Sequence, residues 1–296
     1  MELTFLGTAS MIPTAKRNHT ALFLQHNGAG ILFDCGEGTQ RQFRKAKIKP
    51  TKISIICISH WHGDHVLGLP GLLDTLDNLS SDAELRVFGP KGIKKQFDLV
   101  GRAFPSHREM KIIVEEVSEG VFYDSKEFSL EAYELEHTIC AIGFRFVEKD
   151  RLRIDMKKAK KAGLKEGPLL GKIQRGEDVT VDGKKVKSAD ITDLVIGKKM
   201  GYIADTLDNK NNLKIAKGCD VLVSEASFAS DLKDQAVLYK HMTAKQAATV
   251  AKKAGVGRLY LIHLSSRYPR SKEILEDAAA VFKNTVVAKD LDVITL

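Results

Sequence analysis

Residues 60–65 read His60-Trp61-His62-Gly63-Asp64-His65, which concentrates three of the chain's nine histidines and one aspartate in six positions. Imidazole nitrogens and carboxylate oxygens at this density suit Zn²⁺, and also Mn²⁺ or Fe²⁺. His60 and His62 project the same way only if the backbone between them is extended. Asp64 and His65, one further turn on, then face a second centre. The pattern differs from H-E-x-x-H, in which one helix face grips one metal. Further ligand types stand at the ends of apolar runs. His137 follows EAYELE, Asp205 follows MGYIA and His263 follows LYLI. Polar groups at the tips of buried strands are where α/β folds place their chemistry.

The elements that must position these groups follow from the hydrophobic pattern. Short β-type runs, ELTFL (2–6), TALFLQ (20–25) and GILFDC (30–35), precede a polar helix over 37–47. KISIICIS (52–59) is a continuous apolar run expected for a strand buried on both faces, and the histidines come directly after it. VLGLPGLLDTLDNL (66–79) has helical spacing, with Pro70 near its start or at a kink. A strand at 84–90, a helix at 91–103 and strands near 111–116, 127–135 and 141–147 follow. After an interruption come strands at 199–205, 220–226 and 258–263, and helices at 207–217, 243–254 and 271–283. Strands alternating with helices predict a layered domain of mixed α and β structure.

The interruption is residues 149–187. It holds 13 Lys/Arg against 6 Asp/Glu, so +7 of the net +8 lies in this segment. It is rich in Lys and Gly, with few residues expected to join a core. DMKKAKKAGLKEG has the pattern of one exposed helix stopping at Gly163 or Gly167. Overall charge and a pI near 9.1 favour polyanionic partners. Cys35, Cys57, Cys140 and Cys219 lack C-x-x-C spacing and read as isolated thiols of a reducing compartment. No run reaches a membrane span and no signal-peptide pattern opens the chain, so the expectation is cytoplasmic.

His-x-His-x-Asp-His followed at long intervals by single His, Asp and His residues resembles the metallo-β-lactamase fold. Finer matches resemble its ribonuclease Z branch: FLGT (5–8), PTAKRN (13–18), DCGEGTQRQ (34–42), VSEASF (223–228), HMTAKQAA (241–248) and HLSSRY (263–268). Ser224 departs from the family, which often has histidine there. The resemblance covers essentially the whole chain. It implies an α+β, four-layer αβ/βα sandwich over 1–296 with a protruding basic arm inserted at 149–187.

It further implies two Zn²⁺ per subunit: His60, His62 and His137 on one, Asp64, His65 and His263 on the other, and Asp205 between them. Two neighbouring cations can clamp the attacking and leaving oxygens of a phosphodiester. Asp64 is implied as general base as well as ligand, and His241, polarised by Glu225, as proton donor to the leaving 3′-oxygen. Arg17, Asn18 and Arg267 are the RNA or phosphate contacts. GPLLGK (167–172), with Gly167 and Pro168, resembles the element at the arm's end that grips the tRNA elbow. The implied activity is removal of the 3′ trailer from precursor tRNA by a homodimer. A different hydrolase on this fold, acting on a small phosphodiester, thioester or lactone, is the alternative, and an RNA-binding protein without turnover is a second. Trp61 reads as packing at the site wall. His19, His26 and His107 belong to no constellation.

Overall fold

The computed structural model describes residues 1–80, 82–105 and 109–296, so His107 lies outside the described residues. The chain divides into two compact units. One comprises Met1–Asp124, Leu130–Phe146 and Lys199–Leu296; the other comprises Ser125–Ser129 and Val147–Lys198.

The first unit is built on two seven-stranded sheets. In one, strands run in the order Val293–Thr295, Glu2–Gly7, Ala21–His26, Ala29–Phe33, Ile53–Cys57, Glu84–Gly89, Lys111–Glu116. Its first pairings are antiparallel and those from Ala29–Phe33 onward are parallel. In the other the order is Thr285–Val287, Arg258–Ile262, Val221–Glu225, Lys199–Ile203, Ala141–Glu148, Phe128–Leu135, Gly120–Asp124. The four strands from Thr285–Val287 to Lys199–Ile203 are parallel.

Phe33 joins the facing surfaces, with ring centroids 5.8 Å from Phe144 and 5.5 Å from Tyr202, and Phe5 lies 5.4 Å from Tyr260. Helices cover the outer faces. Thr39–Lys45, Leu69–Leu79 and Ile93–Ala103 bury Phe43, Leu69, Leu72, Leu73 and Ile93 against Leu32, Ile56 and Val87. Lys210–Ala216, Ala244–Lys253 and Lys272–Ala279 cover the second sheet. This is the four-layer αβ/βα sandwich. Among the described residues no helix is long and apolar enough to cross a membrane.

Departures from the hydrophobic pattern include one helix and one strand. The expected 66–79 helix is two pieces, Gly63–Val66 and Leu69–Leu79. Leu67 and Gly68 interrupt it, and Pro70 occupies the first turn of the second piece, where its missing N–H costs nothing. The strand Gly120–Asp124, too short and half-exposed for a periodicity signal, was not foreseen.

The second unit has a core of its own: Ala159, Leu164, Ile173, Val179, Val186 and Ile191 are all buried. The sequence pattern predicted little packing here. Its apolar residues are isolated, and a pair of small sheets with short helices gathers them. Arg151–Ile154 pairs with Thr192–Val195, and Val179–Val181 with Lys184–Val186. Asp182 and Gly183 both take positive φ, as a two-residue hairpin turn requires. Asp155 caps Met156–Lys161 through the amides of Lys157 and Lys158, and Gly163 (φ 78°) follows the helix end. Lys157, Lys158, Lys160, Lys161, Lys165 and Lys172 are exposed.

The turn after Phe33 and the histidine loop touch backbone to backbone. The amide of Cys35 donates to the carbonyl of His65 (2.7 Å), and that of Gly68 to Cys35 (2.9 Å). A Cβ on Gly68 would lie 2.2 Å from the Gly36 carbonyl oxygen. No flexible side chain is there to yield. Gly68→Ala is therefore expected to lower stability by about 1–3 kcal/mol. Gly101→Ala, in an exposed helix with nothing within 4 Å, should be neutral or stabilising by up to about 1 kcal/mol. Urea unfolding of the two variants checks the contrast.

Candidate metal centre

Six of the site's groups follow or close a strand. Asp34 follows Phe33, His60 follows Ile53–Cys57, His137 follows Phe128–Leu135, and Asp205 follows Lys199–Ile203. Glu225 closes Val221–Glu225, and His263 follows Arg258–Ile262. His62 is extended and precedes the helical turn Gly63–Val66, and that turn carries Asp64 and His65. His241 is placed by the helix after it. Thr243 and Gln246 form a reciprocal capping box at the start of Ala244–Lys253.

Two donor groups result. His60, His62, His137 and Asp205 offer ligand atoms all within 4.8 Å of one another, and so do Asp64, His65, Asp205 and His263. Asp205 belongs to both. The inward nitrogens are identifiable from their neighbours. His60 Nε2 and His137 Nε2 lie 3.1 and 3.2 Å from His62 Nδ1. His65 Nε2 lies 3.5 Å from Asp205 Oδ2, and His263 Nε2 lies 3.2 Å from Asp64 Oδ2 and 3.3 Å from Asp205 Oδ1.

The outward nitrogens are all occupied by protein. His60 Nδ1 meets Ser59 Oγ (3.0 Å), and His62 Nε2 meets Thr138 Oγ1 (3.4 Å). His65 Nδ1 meets Asp34 Oδ2 (2.8 Å), His137 Nδ1 the Lys240 carbonyl (3.0 Å), and His263 Nδ1 Ser227 Oγ (2.9 Å).

The charges are mutually dependent. Burial opposes a charge on His65, but Asp205 and Asp34 outweigh it and hold its pKa well above the ordinary value. Burial, reinforced by the neighbouring His65, holds His60 well below it. Burial would raise Asp205, yet His263 and His65 keep it far below the usual carboxylate range.

The donor set fits a metal. It is all imidazole and carboxylate, and it is nearly dry. Asp64 Oδ1, Asp205 Oδ1 and His65 Nε2 are buried without a hydrogen-bond partner. Buried polar atoms are ordinarily paired, and three orphans in one cluster mark atoms shaped for a ligand.

A third grouping, Glu225, His241 and His263, has the same spacing but not the same chemistry. Glu225 Oε1 accepts from the amides of Thr206 and Met242 and from His241 Nδ1 (3.1 Å). Its Oε2 accepts from the amide and hydroxyl of Ser227. Five donors saturate the carboxylate, so it serves protein rather than a cation. Burial opposes charge on His241, but Glu225 and, farther off, Asp205 lift its pKa to about 9.

These groups open on a cavity of about 360 Å³ lined by His62, Asp64, Asp205, His241 and His263, by Met11, Leu238 and Tyr239, and by Arg267. Arg267 is exposed there. Arg17 is not in this cavity. Its Nη1 donates to Thr8 Oγ1 and the Ala288 carbonyl (2.6 Å each), and Nη2 to Ser271 Oγ (3.2 Å). Asn18 holds the neighbouring turn through the Glu37 carbonyl (2.6 Å). Gly167 and Pro168 are exposed at the start of Pro168–Gln174 in the second unit. Trp61 is half-buried and packs against the core beneath the helices of the first sheet.

The architecture and the site define the class. A structure of YhfI, a metallo-β-lactamase fold protein from Bacillus subtilis, superposes with TM-score 0.72 over 99% of this chain and 98% of that one, at 18% identity. The chain has the metallo-β-lactamase fold. Residues 1–149 match the family model described as anti-Pycsar protein Apyc1, which places that half of the chain in the family so described. Over the full length, a ribonuclease Z from Listeria monocytogenes is 40% identical, covering 99% of this chain and 98% of the relative. The crystal structure of the short form of human tRNase Z superposes with TM-score 0.73 over 100% and 99% of the two chains, at 25% identity. The chain belongs to the ribonuclease Z family.

Because Asp205 stands in both donor groups, Asp205→Ala is expected to remove more bound metal than His62→Ala, which sits in one group and is half-exposed. Elemental analysis after dialysis against Zn²⁺ and then against buffer reads the difference. Equal metal content in the two variants would contradict the shared position.

Proposed function

We propose that this chain is a metal-dependent endoribonuclease that removes the 3′ trailer of precursor tRNA, leaving a 3′-hydroxyl on the tRNA and a 5′-phosphate on the trailer. One observation carries the reading: two His/Asp donor groups and a separate imidazole, His241, held from behind by Glu225, open on one cavity. Full-length relatives named ribonuclease Z add support.

In this reading His60, His62 and His137 hold one Zn²⁺, Asp64, His65 and His263 hold the other, and Asp205 serves both. Mn²⁺ and Fe²⁺ suit the same donors. Such ions, when bound, polarise a phosphoryl oxygen and lower the pKa of water.

The side chains do the rest. Asp64 lines the cavity with one oxygen unpartnered, and it takes the proton of the attacking water. The new P–O bond forms as the bond from phosphorus to the ribose 3′-oxygen breaks, with its electron pair leaving on that oxygen. His241 supplies the proton there. Its Nδ1 is held by Glu225, so Nε2 is the nitrogen left to donate, and the Glu225 carboxylate favours the charged form of the ring.

Arg267 faces the cavity as a phosphate contact. Arg17 borders an adjoining depression with Arg270 and Lys289, and with its neighbour Asn18 it is assigned to RNA beyond the cut. The lysines of 149–187, with Gly167 and Pro168, grip the tRNA body. Stem RNA is held through phosphates and 2′-hydroxyls and is recognised by shape. The family resemblance supports a homodimer in which the basic unit of one subunit holds the tRNA cut by the other. The RNA substrate and four free cysteines favour a cytoplasmic setting.

End-labelled precursor tRNA should be cut at the trailer junction, with cleavage abolished by chelator and restored by Zn²⁺. Absence of any cut under these conditions sinks the proposal. His241→Ala should lower kcat by about 10²–10⁴-fold with KM little changed. Deleting residues 150–187 separates this activity from that of a small-substrate hydrolase. Cleavage of precursor tRNA should collapse while hydrolysis of a small phosphodiester is largely retained. Equal losses on both substrates would count against an RNA-gripping role.

A further inference from the structure

A ligand imidazole must present a bare lone pair to its cation, so its proton has to sit on the outward nitrogen. For His65 and His137 the outward partner settles this. The Asp34 carboxylate and the Lys240 carbonyl only accept, so each ring keeps its proton on Nδ1. His60 and His263 are different. Their outward nitrogens meet serine hydroxyls, Ser59 Oγ at 3.0 Å and Ser227 Oγ at 2.9 Å, and a hydroxyl can donate or accept. The imidazole–serine pair alone does not decide where the proton goes.

The far side of each serine decides. Ser59 Oγ lies 2.8 Å from Asp34 Oδ2, and Ser227 Oγ lies 2.7 Å from Glu225 Oε2. A carboxylate accepts and cannot donate. Hydrogen bonds to an ionised oxygen are the stronger ones, so each hydroxyl commits its one proton there. Ser227 Oγ has two other neighbours: the His263 carbonyl is neutral and farther away at 3.2 Å, and His241 Nδ1, at 3.3 Å, is itself a donor to Glu225 Oε1. Only lone pairs are then left to face the imidazole. The carboxylates and serines of the two relays are buried, Asp34, Ser59 and Glu225 at 0% exposure and Ser227, at the cavity wall, at 2%, so these bonds are made within the protein.

We infer that Ser59 and Ser227 are positioning residues, each relaying a buried carboxylate's hold onto a ligand histidine so that His60 and His263 carry their protons on Nδ1 and keep Nε2 bare. The two relays have the same plan. Asp34 holds His65 directly and His60 through Ser59. Glu225 holds His241 directly and His263 through Ser227. Glu225 therefore serves two tasks, orienting the proton donor and orienting a ligand. The inference rests on the metal reading of the cluster.

The test uses the full-length protein and Zn²⁺. Competition with a chelating dye at fixed pH measures affinity, and Ser59→Ala and Ser227→Ala should each weaken it by about 10–100-fold. In the zinc-loaded, ¹⁵N-labelled protein, the ring N–H protons of His60, His65 and His263 should give slowly exchanging low-field resonances. Ser227→Ala should lose that of His263 alone, and Ser59→Ala that of His60 alone. Melting of the metal-free proteins is the control for packing. Variants that keep affinity to within about threefold of wild type, well short of that expected loss, and retain both resonances overturn the relay, whether or not their metal-free melting temperature falls. A wild-type chain that binds no Zn²⁺ sinks the metal reading itself, whereas a binding wild type with unaffected variants sinks only the relay.

Discussion

Five imidazoles and two carboxylates converge in one largely dry space, and the rest of the structure answers to that. Such groups are costly to bury unless each polar atom has a partner. The outward atoms have theirs: two serines, a threonine, a carboxylate and a backbone carbonyl. The inward atoms have mainly one another, at 3.1–3.6 Å. At these separations neutral nitrogens and ionised carboxylates are unsatisfied hydrogen-bond acceptors, and a cation is the species that completes them. Burial and the neighbouring charges favour the charged form of His65 and disfavour that of His60.

Holding that geometry requires rigid elements and some backbone strain. Parallel strands deliver Asp34, His60, Asp205, Glu225 and His263 to the same end of the two sheets. Two of these residues sit in the left-handed region, Asp34 at φ 56° and His263 at φ 57°. Aspartate tolerates that region better than histidine does, and such conformations persist only where surroundings over-determine them. Around Asp34 the surroundings are the Ser59 amide and hydroxyl, His65 and the Tyr202 hydroxyl. Around His263 they are Ser227, which meets both its ring and its carbonyl, and the Leu264–Thr8 backbone bond.

How much of this was legible in the sequence depends on range. The H-x-H-x-D-H run and the strand before it are local, and so is the helical pattern over 243–254 that follows His241. His137, Asp205 and His263 were readable because each ends an apolar run. Asp34, Ser59, Ser227 and Tyr202 were not singled out. Their roles exist only through partners distant in sequence: the Tyr202 hydroxyl reaches Asp34 across 168 positions. Residue types as ordinary as serine and tyrosine give no signal of such a contact. The second unit was misjudged for a related reason. Leu164, Ile173, Val179 and Ile191 show neither helical nor alternating period, and only tertiary packing gathers them. The Asp182–Gly183 turn was a local signal that the charge pattern obscured.

Ser224 illustrates how a departure from a family pattern can be weighed by contacts. It stands where the family often has histidine, directly before the carboxylate that organises His241. Its side chain is fully buried, and its hydroxyl donates to the backbone carbonyl of Glu225 at 3.0 Å rather than to the carboxylate. The five bonds that fix the carboxylate come from Thr206, Met242, Ser227 and His241. None passes through residue 224. A strand alternates its faces, so residue 224 and the carboxylate beside it lead to opposite sides of the sheet, and a small polar residue paired to the backbone fills its side without touching the acid. The change is therefore local to the packing behind the strand, and the arrangement of Glu225, His241 and His263 does not depend on it.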